Sequence, residues 1–209
     1  RIIRLLLAFS LFAAVVQPAA VHGEEMTTKE KYQRLVEQGI FEGYEDGQSH
    51  LDQNMTRAQA AKIIALILGL LENAEGAENY IDLGEAAWAA GYIGSATAAG
   101  ILEGYGNGIF SPASDVTIEQ LAKIMVEALD LEVDEDATVE GASGWAGKYV
   151  KAAVEAGLIP PQSDYTVPAS RELLVIASYA AYEQLQQMAE ETGWITSAQQ
   201  KGARKVQLT

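Results

Sequence analysis

The chain has 209 residues, of which 14 are Lys or Arg and 29 are Asp or Glu, so its formal net charge is −15 at pH 7. It contains no Cys, which excludes a disulfide framework, thiolate metal sites and a cysteine nucleophile. An acidic surface repels nucleic acid and anionic lipid, so an anionic partner has to be held by local basic residues in a shaped groove.

The first predicted element is a secretory signal peptide at residues 1–23. Arg1 and Arg4 form a basic start, residues 5–16 are apolar, and small residues precede Glu24. The apolar run is too short to span a bilayer as a stable helix. Its removal takes away two of the 14 basic residues and no acid, which leaves 12 minus 29, or −17. We therefore expect an exported, soluble and strongly acidic mature chain.

The segments that follow form a repeat. The run Gly39-Ile-Phe-Glu-Gly-Tyr-Glu-Asp-Gly47 returns 61 residues later as Gly100-Ile-Leu-Glu-Gly-Tyr-Gly-Asn-Gly108. In the same register, Met55-Thr-Arg-Ala-Gln59 returns as Val116-Thr-Ile-Glu-Gln120. A third, more divergent copy has Ala156-Gly157-Leu158-Ile159 and Ser170-Arg171-Glu172 at the matching places. The sequence is therefore interpreted as an array of three copies of one unit.

Each copy is predicted to form a helix, a loop and a second helix, which makes the fold class mainly α. Apolar residues at helical spacing predict first helices over residues 31–38, 85–99 and 145–156. The glycines that follow them, Gly39, Gly100 and Gly157, are expected to end these helices.

The second helices have start signals of their own. Thr56 and Ser170 are the predicted starts in the first and third copies, and Asp115 or Thr117 is the start in the second. The second helix of the first copy is apolar nearly all round from Ile63 to Leu71, so we expect it at the centre of the molecule.

The third loop and the C-terminal end depart from the pattern. The loop from Gly157 to Ser170 spans 13 positions, where the matching loops span 17, and Pro160-Pro161 replaces the Gly-Tyr turn. Residues 194–208 alternate in character around a central Gly202, which predicts a β-hairpin that begins a downstream β domain. The predicted boundaries are residues 24–77, 78–136 and 137–190 for the three copies, and 191–209 for the linker and first strands.

The residues of the three copies match a known motif. The second copy carries Tyr80-Ile-Asp82, Trp88, Gly100-Ile-Leu-Glu-Gly-Tyr105, Gly108, Phe110 and Pro112. The first carries Gly39-Ile, Gly43-Tyr-Glu-Asp-Gly47 and Thr56-Arg57-Ala58-Gln59, and the third retains Trp145, Gly157, Ser170 and Arg171. Together they resemble three tandem S-layer homology motifs, although the first copy lacks the opening F-x-D and Trp.

This resemblance implies a pseudo-threefold arrangement with three central helices and three peripheral prongs separated by grooves. In that family the grooves hold secondary cell-wall polymers of Gram-positive bacteria, often bearing pyruvylated N-acetylmannosamine, and the arginine of the T-R-A-E motif contacts the acid group. The C-terminal β segment resembles the Ig-like modules that follow such anchors in S-layer proteins.

Two arginines are the leading candidates for ligand binding. Arg57 lies in the first turn of its helix, where exposed N–H groups and the helix dipole favour an anion, and a guanidinium suits a carboxylate. The alternative is a surface arginine paired with Glu45 or Asp46. Arg171 holds the matching place in the third copy. The second copy has Ile118 there, so its groove is predicted to be weak or silent.

Aromatic residues and glycines of the loops are further candidates. Tyr44 and Tyr105 are expected both to pack in the loop and to stack on a sugar ring. Gly43 and Gly104, beside them, are expected to serve turn geometry.

Three other positions carry open alternatives. For Trp88 and Trp145 we favour core packing over sugar stacking, and both remain candidates. Asp82 precedes a helix and is expected either to cap it or to accept sugar hydroxyl groups.

The sequence gives no support for catalysis, a cofactor or a metal. The mature chain has one histidine, His50, in a loop without a nucleophile pattern. Asp46 and Asp52 lack the spacing of an EF-hand, and turn formation explains them better.

We therefore predict a secreted, non-catalytic, carbohydrate-binding anchor of the cell wall or S-layer. Its partner is an anionic secondary cell-wall polysaccharide linked to peptidoglycan, with neither nucleic acid nor membrane, and lattice neighbours through downstream domains. Two alternatives stay open. One is a helical-repeat scaffold that binds peptides, and the other is the anchor of a surface enzyme whose catalytic domain lies beyond Thr209.

Overall fold

The computed structural model describes residues 25–43 and 46–191, and in these ranges the chain is mainly helical. Its α-helices are α1 (Thr28–Glu37), α2 (Arg57–Ile67), α3 (Ala90–Ala98), α4 (Ile118–Ala128), α5 (Gly147–Glu155) and α6 (Arg171–Glu191). Two short 3-10 helices, Ala74–Ala77 and Gly84–Ala89, precede α3. Strand pairing over the described residues is limited to isolated bridges. The mainly α prediction is confirmed.

The second helices begin where the sequence predicts. The hydroxyls of Thr56 and Thr117 each accept a hydrogen bond from the backbone N–H of the Gln three residues on. The side-chain oxygen of that Gln in turn accepts the backbone N–H of the threonine. Such reciprocal capping satisfies two N–H groups that the first turn leaves unpaired. At the start of α6, the Ser170 hydroxyl accepts from the Leu173 N–H at 3.1 Å; the apolar Leu173 side chain accepts no bond in return.

The three conserved glycines follow the first helices, as predicted. Gly39, Gly100 and Gly157 have φ of 71°, 75° and 69°, the left-handed conformation in which glycine is favoured. Each N–H bonds back to a carbonyl of the last helical turn. These glycines turn the chain outward into a loop, which we call the prong: residues 38–56, 99–117 and 156–170 in the three copies.

Two predicted helix boundaries are wrong. α2 ends at Ile67, and Gly69 adopts a φ of 63°, so Leu71 lies outside the helix and is 88% exposed. Of the stretch Ile63–Leu71 expected at the centre, only Ile63, Ile64 and Ala65 are buried. Trp88 lies in a 3-10 helix, and α3 begins two residues later. Gly94 in α3 leaves room for the backbone of Asn73, so the segment before α3 packs closely against it.

Helices of neighbouring copies pack in pairs. α2 packs on α3, α4 on α5, and α6 on α1, while α6 also contacts α2 and α4. The largest fully buried side chains come from helices and prongs of all three copies: Leu35, Phe41, Met55, Ile64, Ile93, Phe110, Val116, Leu121, Met125, Leu158, Ile159 and Leu174. One continuous core therefore joins the copies.

The residues just before the second helices form a closed cycle of backbone hydrogen bonds. The N–H of Val116 donates to Met55 O at 2.9 Å, Ala169 donates to Val116 O at 2.7 Å, and Met55 donates to Ala169 O at 3.2 Å. The first helical residues extend the cycle to Arg57–Ser114, Ile118–Val167 and Arg171–Gln53. The start of each second helix is therefore fixed against the prong of a different copy.

Three predictions fall wholly or partly outside the described residues. The signal peptide at residues 1–23 and the β-hairpin in residues 194–208 lie there entirely. The copy boundaries stay a prediction. Within the ranges that the structure describes, no helix combines the length and apolar character needed to cross a membrane.

Candidate functional site: two grooves lined by cations

Two clefts, each lined by one prong and by residues of two second helices, have matching linings. Groove A, about 320 Å³, is lined by Phe41, Glu42, Gly43, Gln59, Lys62, Ile63, Trp88, Arg171 and Leu174. Groove B, about 230 Å³, is lined by Arg57, Ile101, Leu102, Glu103, Gly104, Tyr105, Gln120, Lys123, Ile124 and Trp145. Each groove has one Arg, one Lys, one Glu, one Gln and one Trp. The same five side-chain types thus meet twice.

In groove B, Arg57 holds the prong of the second copy. Its Nε donates to Phe110 O at 2.9 Å and its Nη2 donates to Glu103 O at 2.6 Å. The guanidinium carbon lies 4.6 Å from the ring centres of both Tyr105 and Phe110. Arg57 is 5% exposed. A planar fork is suited to two carbonyls and two rings at once, a geometry that lysine cannot reproduce.

In groove A, Arg171 makes the matching contacts to the prong of the first copy. Its Nε donates to Ser49 O at 2.8 Å, and its Nη2 donates to Glu42 O at 3.2 Å. Its guanidinium carbon is 5.2 Å from the Phe41 ring centre and 5.7 Å from that of Tyr32. Each arginine therefore binds the prong of a neighbouring copy. The carbonyls that it contacts in groove B lie 61 residues after those in groove A.

The predicted backbone anion site at the start of α2 is wrong. The N–H of Arg57 donates to Ser114 O and that of Ala58 donates to Pro112 O, so the cycle of prong contacts uses these groups. The predicted pairing with Asp46 is also absent, because Asp46 contacts His50 instead, while Glu45 lies outside the described residues. An anion in groove B would therefore be bound by side chains.

The Arg57 guanidinium keeps its charge in this setting. Burial lowers its pKa, while Tyr105, Tyr80 and Asp82 act in the opposite direction. A guanidinium titrates far above neutral pH, so it stays protonated. Two of its five N–H donors are used by prong carbonyls.

Sequence reasoning missed the two lysines. The Nζ of Lys62 lies 2.7 Å from the Glu42 carboxylate and 5.9 Å from the centre of the Trp88 ring. The Nζ of Lys123 lies 3.8 Å from Glu103. Their signal was present, because Gln59-x-x-Lys62 recurs as Gln120-x-x-Lys123 in the same register as the rest of the repeat.

The two tryptophans correct another prediction. Trp88 is 54% exposed and Trp145 is 49% exposed, so the favoured core packing is wrong for both. Each lines its groove opposite the prong. An indole ring half open to a groove is a surface on which another flat apolar face can pack.

The tyrosines and glycines of the prongs differ in their contacts and in the space around them. Tyr105 is 58% exposed and its hydroxyl accepts a bond from the Gln120 amide at 3.4 Å. Tyr44 lies outside the described residues. A Cβ on Gly104 would lie 2.6 Å from Ile109 O, which supports its structural role. At Gly43 the nearest atom would be 3.9 Å away, so space does not require glycine there.

Asp82 braces the prong of the second copy. Its carboxylate accepts the N–H of Phe110 at 2.9 Å and that of Ser111 at 2.7 Å. Burial acts to raise the pKa of Asp82, but the two N–H groups and the charge of Arg57 outweigh it and leave the pKa lowered. Asp82 therefore supports the carbonyl that holds Arg57, a role outside the two that the sequence suggested.

The third place in the repeat has a different lining. Groove C, about 220 Å³, is lined by Ile118, Pro160, Gln162, Pro168, Ser170, Glu172, Leu173 and Ile176. Ile118 holds the position of the two arginines, and Ile176 that of the two lysines. The predicted weak groove thus belongs to the prong of the third copy, and not to that of the second, because each second helix reaches a neighbour's prong.

Among the described residues, no group of three or more His, Cys, Asp or Glu side chains is placed to hold a metal ion. Each of grooves A and B has one guanidinium, one ammonium, one carboxylate, one side-chain amide and one indole N–H, and groove B also has the Tyr105 hydroxyl. Such a set can bind an anion and donate or accept hydrogen bonds.

The chain is similar to proteins of bacterial surfaces. Residues 80–122 match the S-layer homology domain. The chain is 34% identical over 135 residues to the surface-layer 125 kDa protein of Lysinibacillus sphaericus, which covers 63% of this chain and 11% of that protein. It is 30% identical over 159 residues to the cellulosome-anchoring protein of Acetivibrio thermocellus, which covers 67% of this chain and 35% of that protein.

A third relative carries an enzyme name. The chain is 31% identical over 123 residues to an uncharacterized cell wall amidase of Bacillus anthracis, which covers 56% of this chain and 23% of that protein. The chain thus spans between 11% and 35% of the lengths of these relatives. The matched residues 80–122 include Asp82, Tyr105 and the start of α4. The chain contains an S-layer homology domain, which the match places at residues 80–122.

Proposed function

We propose that the chain is a non-catalytic anchoring module that binds an anionic cell-wall polysaccharide in grooves A and B. The observation that carries this proposal is the recurrence of one arginine, one lysine and one tryptophan in two grooves of a chain with net charge −15. Surface charge of one sign repels an anion, so two local cation pairs beside exposed indoles are unexpected unless an anion binds there. The chain is accordingly a secreted protein of the cell wall or S-layer.

The proposed architecture is three repeats, at residues 24–77, 78–136 and 137–190, related by a pseudo-threefold axis with three central helices. The closed cycle of hydrogen bonds between Met55, Val116 and Ala169 supports it. So does the pairing of each second helix with the first helix of another copy. Residues 191–209 are proposed to lead into a downstream β module.

The anionic group of the sugar is proposed to lie between the lysine and the arginine of a groove. In groove A, Lys62 presently contacts Glu42, whose side chain is 76% exposed. A ligand carboxylate can replace Glu42 at the ammonium, because an exposed ion pair contributes only about 0.2–1 kcal/mol. The displaced Glu42 is then free to accept a bond from a sugar hydroxyl. Glu103 and Lys123 offer the same exchange in groove B.

The sugar ring is proposed to stack on the tryptophan. Trp88 and Trp145 line the grooves and are about half exposed. Pyruvylated N-acetylmannosamine fits this arrangement, because a pyruvyl carboxylate and a ring with an apolar face are the two features that the groove offers to bind. Gln59 and Gln120 supply amide groups at the same distance along their helices.

Two grooves on one chain increase retention on a polymer. Once one groove is occupied, the second meets neighbouring sugars at the high effective concentration set by the same polymer chain. Modest affinity at each groove is therefore enough for stable anchoring.

The direct test is a pull-down with cell-wall sacculi before and after chemical removal of the secondary polymer. We expect retention of the chain on intact sacculi, no retention after polymer removal, and none by the variant carrying both Lys62→Met and Lys123→Met. Lys151→Met is the matched control, because Lys151 pairs with Asp134 outside both grooves. Retention that survives polymer removal would instead favour the peptide-binding scaffold.

A second candidate role is the anchor of a surface enzyme. The relative named a cell wall amidase favours it, since the chain covers 23% of that protein. The same grooves would then hold a catalytic domain at the wall, and the sequence that follows Thr209 in the gene decides between the two roles.

A further inference from the structure

The carbonyls that hold the two arginines occupy matching places in their prongs. The acceptor of Nε is Phe110 O for Arg57 and Ser49 O for Arg171, and these positions are 61 residues apart. The next residue has a left-handed backbone in both prongs, with φ of 58° at Ser111 and 47° at His50. The two prongs therefore present these carbonyls with the same local geometry.

The support behind these carbonyls differs. In groove B, Asp82 accepts the N–H groups of both Phe110 and Ser111 and so fixes the carbonyl from outside the prong. The sequence of the first copy has no matching F-x-D. In groove A the residue beside the carbonyl is His50, whose Nε2 lies 2.6 Å from the carboxylate of Asp46.

The contact between His50 and Asp46 closes the first prong on itself. The other Asp46 oxygen accepts the N–H of Gln48 at 2.9 Å, and the Nδ1 of His50 lies 3.4 Å from the Gln53 amide. The N–H of Gln48 lowers the pKa of Asp46, burial opposes this, and His50 lowers it further. The Asp46 carboxylate is thus held next to the imidazole of His50, and His50 directly follows Ser49, whose carbonyl binds Arg171.

We propose that His50 and Asp46 are the positioning residues of groove A, and that they hold Arg171 in its binding orientation most firmly when the imidazole is protonated. The consequence for ligand rests on the function proposed above. A protonated imidazole forms an ion pair with Asp46, whereas a neutral one keeps only a hydrogen bond. Histidine side chains change charge between about pH 5 and pH 8. Groove A therefore weakens as the pH rises through this range, and groove B, braced by Asp82, does not.

Other charged groups near the imidazole set the size of the effect. Lys29 of α1 and Asp52 line the same cavity of about 520 Å³ as His50. Arg171 of α6 is a second cation, and it contacts Ser49, the residue before His50. Of these charged groups, Asp46 is in direct contact with the imidazole, at 2.6 Å.

The first test uses NMR of the full chain and needs no ligand. The Nε–H signals of Arg57 and Arg171 are followed from pH 5 to pH 8 together with the ring signals of His50. We expect the Arg171 signal to shift with the same midpoint as His50, and the Arg57 signal to stay constant. His50→Asn, which keeps a residue suited to positive φ, and Asp46→Asn should each abolish the Arg171 titration. A pH-independent Arg171 signal in the unaltered chain would overturn the positioning role.

The second test measures retention on sacculi that keep their secondary polymer, at pH 6 and pH 8. The Lys123→Met variant retains only groove A for binding, and the Lys62→Met variant retains only groove B. We expect retention through groove A to fall by about two- to fivefold at the higher pH, the range of an exposed ion pair, and retention through groove B to stay level. His50→Asn should remove the difference. Equal pH profiles would refute the proposed effect on affinity, whereas absent retention with an intact NMR titration would refute only the proposed function.

Discussion

Grooves A and B differ from groove C at three positions, of which one lies on one second helix and two lie on another. In grooves A and B these positions are Arg, Gln and Lys, and in groove C they are Ile118, Leu173 and Ile176. The glycine after the first helix and the capping residue of the second helix are present in all three copies. Groove C thus lacks the cations, although all three copies have the glycine and the capping residue that shape the backbone. The backbone features of the repeat therefore vary independently of the charged groups in its grooves.

The largest expected effect comes from Arg57→Ala, which compares the two arginine contacts. Removal of this side chain leaves the carbonyls of Phe110 and Glu103 without their donors, and the cost is about 3 kcal/mol of unfolding free energy at ~1–3 kcal/mol per buried group. Arg171→Ala should cost clearly less, because Arg171 is more exposed and its ring contacts and its Nη2 contact to a carbonyl are longer. Denaturant unfolding measures the loss of unfolding free energy in both variants. Equal losses would show that the deeper burial of Arg57 does not make its contacts more stabilising than those of Arg171.

The next effect compares the glycines of the two prongs. Gly104→Ala brings a methyl group against Ile109 O and the Tyr80 ring, so we expect a loss of about 1–3 kcal/mol, typical of overpacking. At Gly43 a Cβ would make only an ordinary contact with the Tyr32 hydroxyl at 3.9 Å, so we expect the unfolding free energy of Gly43→Ala to stay within about 0.5 kcal/mol of that of the unaltered chain. Thermal unfolding of both variants checks this, and a stable Gly104→Ala protein would refute the crowding of the second prong.

The tryptophans come third and separate binding from stability. We expect Trp88→Ala or Trp145→Ala to lower affinity at its own groove by about tenfold, in line with ~1–3 kcal/mol for a ring stacked on an aromatic side chain. Because both rings are half exposed, the unfolding free energy should change by less than about 1 kcal/mol. A large loss of stability with unchanged retention on sacculi would show that these tryptophans pack in the core and do not bind the ligand.

The smallest expected effect is that of Ile118→Arg in groove C. The substitution supplies a guanidinium, but Leu173 and Ile176 still lack the amide and ammonium, so we expect no gain in binding sites. Adding Leu173→Gln and Ile176→Lys should create weak binding there. Titration with soluble polymer fragments measures the number of sites, and a full site from Ile118→Arg alone would show that the lysine is dispensable.

Local chemistry made much of the fold predictable. Thr56, Thr117 and the glycines after the first helices carry signals that act within four residues, so the sequence places them correctly. Leu71 misled the prediction of α2, because an apolar residue after a left-handed glycine looks like a continuing helix face.

The grooves were harder to predict because they join copies that are distant in sequence. The sequence identified Arg57 and Arg171, but not that each lies against the prong of a neighbour. Lys62 and Lys123 look like solvated lysines on amphipathic helices. Trp88 looks like a core residue, since aromatic residues at helical spacing are buried more often than not.

The most direct test of two chemically competent grooves is calorimetric titration of the chain with a soluble fragment of the anionic secondary polymer. We expect two sites per chain, one site in Lys62→Met and in Lys123→Met, and none when both are changed, with Lys151→Met unaffected. Three sites in the unaltered chain, or two sites in the double variant, would refute the presence of two competent grooves.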